Sequence, residues 1–237
     1  MTKQKMNLSR RSILMASAAA VPLMAVPFYK ASAEGLEGVD LQQYKPVFFT
    51  ASEWAFVMAA CDRLIPPEGK GPGALETNVP VFIDQQLKGG LGSDIYLQGP
   101  FAADPPATLG FQNTHAPQAM YQIGIKLAQQ HSQKAHGKPF EQLTAAERDA
   151  MLHDLQKNVV DFADMGETSL KASQFFGQLL GDTKNGYLAD PMYGGNKDMK
   201  AWVAIGYPGA RAQFTEWVDQ HNVKYPLGPV SVSGKRA

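Results

Sequence analysis

Residues 50–67 read Thr-Ala-Ser-Glu-Trp-Ala-Phe-Val-Met-Ala-Ala-Cys-Asp-Arg-Leu-Ile-Pro-Pro, and this stretch sets the fold class. Thr50 followed three residues later by Glu53 is a capping box: the hydroxyl accepts from a first-turn amide and the carboxylate reaches back to the cap. Trp54, Val57, Met58, Cys61 and Ile65 then recur at i, i+3, i+4, i+7 and i+11, the period of one apolar helical face. Pro66 and Pro67 cannot continue the hydrogen-bond ladder and stop the helix.

The same grammar repeats downstream. Asn78 is placed to cap a short helix with Pro80 in its first turn and Phe82, Ile83 and Leu87 inside, ended by Gly89-Gly90. Residues 116–136 predict a long helix with Met120, Ile123 and Leu127 on one side and Gly137 as the stop. A second capping box, Thr144 with Glu147, opens a helix carrying Leu152, Leu155 and Val159. Another spans about Glu167 to Leu180, burying Leu170, Phe176, Leu179 and Leu180. Residues 34–49 read as a mobile or extended lead-in, 66–78 as a turn-rich connector, and 89–114 as a long Gly- and Pro-rich loop of the kind that is functional or partner-bound. No run of alternating strand pattern precedes the C-terminal tail. The expected fold is mainly α: a single helical domain with long ordered loops.

The tail, His221 to Ala237, predicts an extended arm. Pro226 and Pro229 deny it a helix, while Val223, Tyr225, Leu227, Val230 and Val232 are too apolar for free solvation. It should lie on a surface, either this chain's helices or a partner's. The alternation Val230-Ser231-Val232-Ser233 suits edge-strand addition.

Composition narrows the function. Of 237 residues 44% are hydrophobic and 19% charged, a globular profile. The 22 basic and 22 acidic residues cancel, which argues against a nucleic-acid partner. The single cysteine, Cys61, excludes an internal disulfide, a Cys-only zinc or iron–sulfur site and a C-x-x-C-H haem attachment. Gly71-Pro72-Gly73 is the nearest approach to a dinucleotide loop, but no strand precedes it and the third glycine is missing. There is no P-loop, no H-E-x-x-H and no G-x-S-x-G elbow. His131 and His136 stand five apart, on different sides of a helix. No catalytic, cofactor-binding or metal-ligating residue is assigned.

The zero net charge hides an asymmetry. Residues 1–33 hold Lys3, Lys5, Arg10, Arg11 and Lys30 and no acid, leaving 17 basic against 22 acidic residues over 34–237. Ser9-Arg10-Arg11-Ser12-Ile13-Leu14 precedes an apolar run, Ile13 to Val26, too short and too broken by Pro22 for a comfortable membrane span. Ala31-Ser32-Ala33 is a small-x-small cleavage site with Glu34 as the new N-terminus. The paired arginines in this setting resemble a twin-arginine signal, with residues 1–33 as signal peptide and 34–237 as the mature domain. That route carries folded proteins, often with cofactors. A chain with such a signal and no cofactor motif fits the role of a carrier for a partner that holds the cofactor.

Residues 186–209 are packed with Gly, Pro and aromatics in an otherwise helical chain. Tyr187, Pro191, Tyr193, Gly194, Gly195, Asn196, Trp202, Tyr207 and Pro208 form the candidate partner interface; the alternative is a loop packed on its own helices. The spacing Gly186-Tyr187…Gly194-Gly195-Asn196…Trp202…Gly206-Tyr207-Pro208-Gly209 resembles the small subunit, subunit 3 or gamma, of membrane-bound FAD-dependent gluconate 2-dehydrogenases. Trp54 through Pro66, Gly71 through Ala74, and the later Trp217-Val218, His221-Asn222 and Tyr225-Pro226-Leu227 share the likeness. The resemblance implies a non-catalytic subunit. Its partners would be a large FAD-containing dehydrogenase subunit, a multi-haem cytochrome c subunit and the twin-arginine translocase. It further implies a periplasmic location on the outer face of the inner membrane, FAD and haem c being held by the partners. Related small subunits serve other sugar or polyol dehydrogenases, and an export chaperone that leaves the finished enzyme remains the other reading.

Overall fold

The computed structural model describes residues 35–69, 71–89, 101–102, 106–110, 112–223 and 225–237. Arg10, Arg11, Ala33 and Glu34, and with them the export signal, lie outside these residues, as does most of the 89–114 loop. Six α-helices occur among the described residues: α1 (Ala51–Leu64), α2 (Val79–Lys88), α3 (Pro117–His136), α4 (Ala145–Gln156), α5 (Ala172–Leu188) and α6 (Lys200–Ile205). No strand forms among them, only isolated bridges. The mainly α expectation holds.

Both capping boxes are present. The Thr50 hydroxyl accepts from the Glu53 amide while the Glu53 carboxylate accepts from the Thr50 amide at 2.9 Å; Thr144 and Glu147 repeat the exchange at 2.8 Å. Asn78 does not cap by its side chain. It enters α2 from a left-handed conformation (φ 56°), and its amide group instead donates to the Val39 carbonyl at 2.7 Å. Val159 is not helical: α4 stops at Gln156, Asn158 turns the chain at φ 54°, and Val160 is buried in Val159's stead. The helix expected over 167–180 starts at Ala172 and continues to Leu188, so Tyr187 belongs to it.

Helices α1 and α5 are the hub, each touching α2, α3 and α4. The buried face of α1 is Phe56, Val57, Ala60 and Cys61, with Trp54 and Met58 at its margin. An aromatic spine runs through the core. Phe56 lies 4.6 Å from Phe140 and 6.2 Å from Phe175, and Tyr121 meets Phe175 edge-on at 6.0 Å. Each such side chain, fully buried, contributes about 1.5–3 kcal/mol.

The lead-in is anchored. Buried Asp84 of α2 accepts hydrogen bonds from the Tyr44 hydroxyl at 2.6 Å and from the amides of Val47 (2.8 Å), Phe48 and Phe49 (both 3.0 Å). A buried carboxylate survives without a cation when donors surround it in this way.

Candidate partner interface

The 189–209 segment is built around Asn196. Its side chain is fully buried, donating to the Ala189 carbonyl and accepting from the Ala201 amide, both at 2.9 Å. It thus ties the end of α5 to the start of α6 across the turn. Gly195 is required by close approach: a Cβ there would stand 2.2 Å from the Gly186 carbonyl oxygen of α5. Asn196, Asp198 and Met199 all adopt positive φ (42°, 57° and 54°). Left-handed backbone at non-glycine residues costs about 1–2 kcal/mol each. Burial of Met199, the Asn196 bonds and the Lys197 amide donating to Thr77 O at 3.1 Å hold it in place.

The residues singled out from sequence divide into two groups. Inward are Pro191, Gly194, Gly195, Asn196 and Trp202; the Trp202 indole N–H donates to Leu188 O at 2.9 Å, and the residue is only 5% exposed. Tyr187 is half-buried, its hydroxyl donating to Pro72 O at 2.9 Å, which brings the Gly71–Ala74 turn against α5. Outward are Tyr193 (49% exposed) and Tyr207 (46%), with Pro208 between. Leu188, Val203 and Ile205, not singled out before, are also exposed apolar side chains. Of the thirteen large apolar side chains exposed among the described residues, ten lie between 188 and 232.

Asp190 was likewise missed, although Asp before Pro191 is a recognisable cap signature. Its Oδ1 accepts from the Met192 amide at 3.1 Å, and its Oδ2 accepts from the Val232 amide at 2.7 Å. The tail therefore lies on this chain. Glu37 receives the Ser233 hydroxyl at 2.9 Å and stands 3.9 Å from Lys235 Nζ. Both ends of the described domain thus meet beside the 186–202 segment.

Titratable groups in the core are spent on structure. Burial pushes the Cys61 thiol up to about 12, so it stays protonated; its Sγ lies 3.7 Å from the Thr183 hydroxyl. Burial also raises the Asp182 carboxyl, which accepts from Tyr121 at 3.0 Å and Gln178 at 2.9 Å. A groove of about 710 Å³ lies between the first turn of α1 and α3, but its carboxylates are committed: Glu53 to its own cap and Glu141 to Gln129 at 2.7 Å. Among the described residues no three His, Cys, Asp or Glu side chains are grouped to hold a metal ion, and no helix is long and apolar enough to cross a membrane.

The stretches that interlock here, α1 with its Pro-rich exit, the 71–74 turn and 186–209, fall together within one family model. The model described as gluconate 2-dehydrogenase subunit 3 matches residues 51–209. The chain belongs to the gluconate 2-dehydrogenase subunit 3 family. The match takes in all six α-helices found among the described residues and stops at Gly209, leaving the lead-in and the tail outside it. No curated protein and no solved structure matches the chain.

Proposed function

We propose that the chain is the non-catalytic small subunit of a periplasm-facing, FAD-dependent gluconate 2-dehydrogenase. In this reading the flavoprotein subunit converts D-gluconate to 2-dehydro-D-gluconate, and electrons leave through a multi-haem cytochrome c subunit. This chain supplies the twin-arginine signal in residues 1–33 and escorts the folded flavoprotein outward. The surface carrying Tyr193, Val203, Ile205 and Tyr207 faces that partner. The observation that carries the reading is the family match over 51–209, about two thirds of the chain. The commitment of Cys61, Asp84 and Asp182 to internal hydrogen bonds supports a structural role over a catalytic one.

Replacing Arg10 and Arg11 by lysines tests it. Both this chain and its flavoprotein should then remain in the cytoplasm, and dye-linked gluconate oxidation should vanish from the periplasmic face. Normal export of the flavoprotein beside the Lys-Lys variant would overturn the carrier role.

A further inference from the structure

Residues 210–229 form a closed loop at the edge of the helical body. Its neck is pinned where the Val230 amide donates to Pro208 O at 3.2 Å and the Ala210 amide donates to Val230 O at 2.7 Å. From Ala210 to Gly228 no described residue is buried. The loop is held from within instead. Tyr225 lies 6.4 Å from Phe214 and 5.5 Å from Trp217, and the Arg211 guanidinium sits over the Phe214 and Tyr225 rings at 5.0 and 5.1 Å. Arg211 also pairs with Glu216, and a 3₁₀ turn at Thr215–Trp217 uses main-chain groups between them.

This internal stack explains how the loop keeps its shape. It does not explain why Phe214, Val218, Val223 and Leu227 are left exposed on it. Apolar side chains gathered on one short projection mark a surface that is covered when the protein works. Two observations select a lipid surface as the cover. The first is the side-chain set. Trp217 and Tyr225 have the apolar body and polar tip that suit a membrane–water interface. The charges of the loop, Arg211 and Lys224 against Glu216 and Asp219, cancel, so its binding would follow apolar area and not charge.

The second observation is position. Three residues beyond the neck residue Val230, the Ser233 hydroxyl donates to Glu37 at 2.9 Å, so the loop is rooted where the chain enters the domain. The apolar run of the leader ends at Val26, nine residues before Gly35, a covalent reach of at most about 30 Å. A leader engaged with a membrane therefore keeps this root close to the same membrane.

We propose that the 210–229 loop is a lipid-contacting element, with Phe214, Trp217, Val218 and Val223 entering the headgroup boundary of a bilayer and holding the subunit against it. The argument from position shares its leader with the proposed subunit role; the chemistry of the loop stands without that role.

Vesicles of phosphatidylcholine with brominated acyl chains, mixed with the full chain, test it. Bromine quenches rings that reach the acyl region, and the leader holds no tryptophan. Of the three tryptophans, Trp202 is buried and Trp54 packs on Tyr44 at 5.4 Å, so the signal belongs to Trp217. At saturating lipid the quenched fraction reads the loop's own partition between bilayer and water. Wild type should be quenched, and Trp217→Phe should abolish the quenching. Val218→Asp with Val223→Asp alters two exposed positions, so helical circular dichroism should be unchanged while the bilayer-to-water ratio falls about tenfold. An unquenched wild-type chain, quenching that survives Trp217→Phe, or an unchanged ratio in the V218D/V223D pair would each overturn the loop. Loss of the flavoprotein from that pair with lipid quenching intact would show a protein cover, and overturns it too. Export of the Lys-Lys variant and vesicle quenching are separate measurements, so either reading fails alone.

Discussion

The helical body, residues 51–188, and the C-terminal quarter, residues 189–237, are held by different forces. The body buries Phe56, Phe140, Phe175, Leu155 and Leu179 completely and is stabilised by contact area. Among its described residues the quarter has one short α-helix, four non-glycine residues at positive φ and a tail seated by main-chain bonds; its fixed points are polar, Asn196 and Asp190. Apolar packing is cumulative and tolerant, whereas a turn held by two hydrogen bonds depends on one side chain. The quarter is also where ten of the thirteen exposed large apolar side chains of the described residues lie.

Truncation at the hub should give the largest effect. Phe175→Ala empties a site walled by Phe56 and Tyr121 and is expected to cost about 3–5 kcal/mol in urea unfolding. If that cost were below the cost of any change in the quarter, the contrast would collapse. Asn196→Ala comes next. It leaves Ala189 O and the Ala201 amide without their partner at a fully buried site, for about 2–3 kcal/mol. Protease cleavage confined to 189–209 should accompany the loss, while the helical signal persists.

Tyr193→Ala should leave folding within about 0.5 kcal/mol, as an exposed substitution does. The same change should weaken association with the flavoprotein by about 2 kcal/mol, the scale of an interface anchor. Trp202→Ala, by contrast, should damage fold and assembly together, because Trp202 is buried and bonded to Leu188. Similar behaviour of the two variants would erase the distinction between inward and outward aromatics.

The smallest effects are electrostatic. The Arg63 guanidinium, bonded to Asp149 at 2.7 and 2.8 Å, holds that carboxyl below its ordinary value. A lowered folded-state value makes the stabilisation present above the unfolded carboxylate range and lost as pH falls through the folded one. Burial acts on Asp182 in the opposite sense. Its folded form holds the proton longer, so its ionisation costs stability as pH rises from the unfolded to the folded value. Asp182→Asn should therefore raise the melting temperature at neutral pH, and Asp149→Asn should lower it there but not in acid.

Legibility in the sequence followed locality: what a few neighbouring residues decide could be read, and what a distant residue decides could not. The capping boxes at Thr50 and Thr144 were readable because donor and acceptor are three residues apart. The end of α5 was not: Gly181, Asn185 and Gly186 are poor helix formers, and the helix continues because Tyr187 bonds Pro72, 115 residues earlier. Val159 failed by one residue, since the Val159 amide turns back to Asp154 O and hands the core position to Val160. The aromatic and glycine density of 186–209 was visible, but which rings face inward depends on Leu188 O and Pro72 O, acceptors no local pattern marks. The lead-in was read as mobile or extended because its anchor, Asp84, lies 35 or more residues further along, in α2.

That anchor has a kinetic corollary. The four donors gathered by Asp84 precede it by 35 to 40 residues, so nothing within 44–49 can order that stretch alone. The loop must close first, and α2 must already be docked. Hydrogen exchange at Val47, Phe48 and Phe49 should then run at the rate of the whole domain's opening, although the sequence there carries no helix of its own. These three amides are a completion marker for folding, placed close to the first of the described residues.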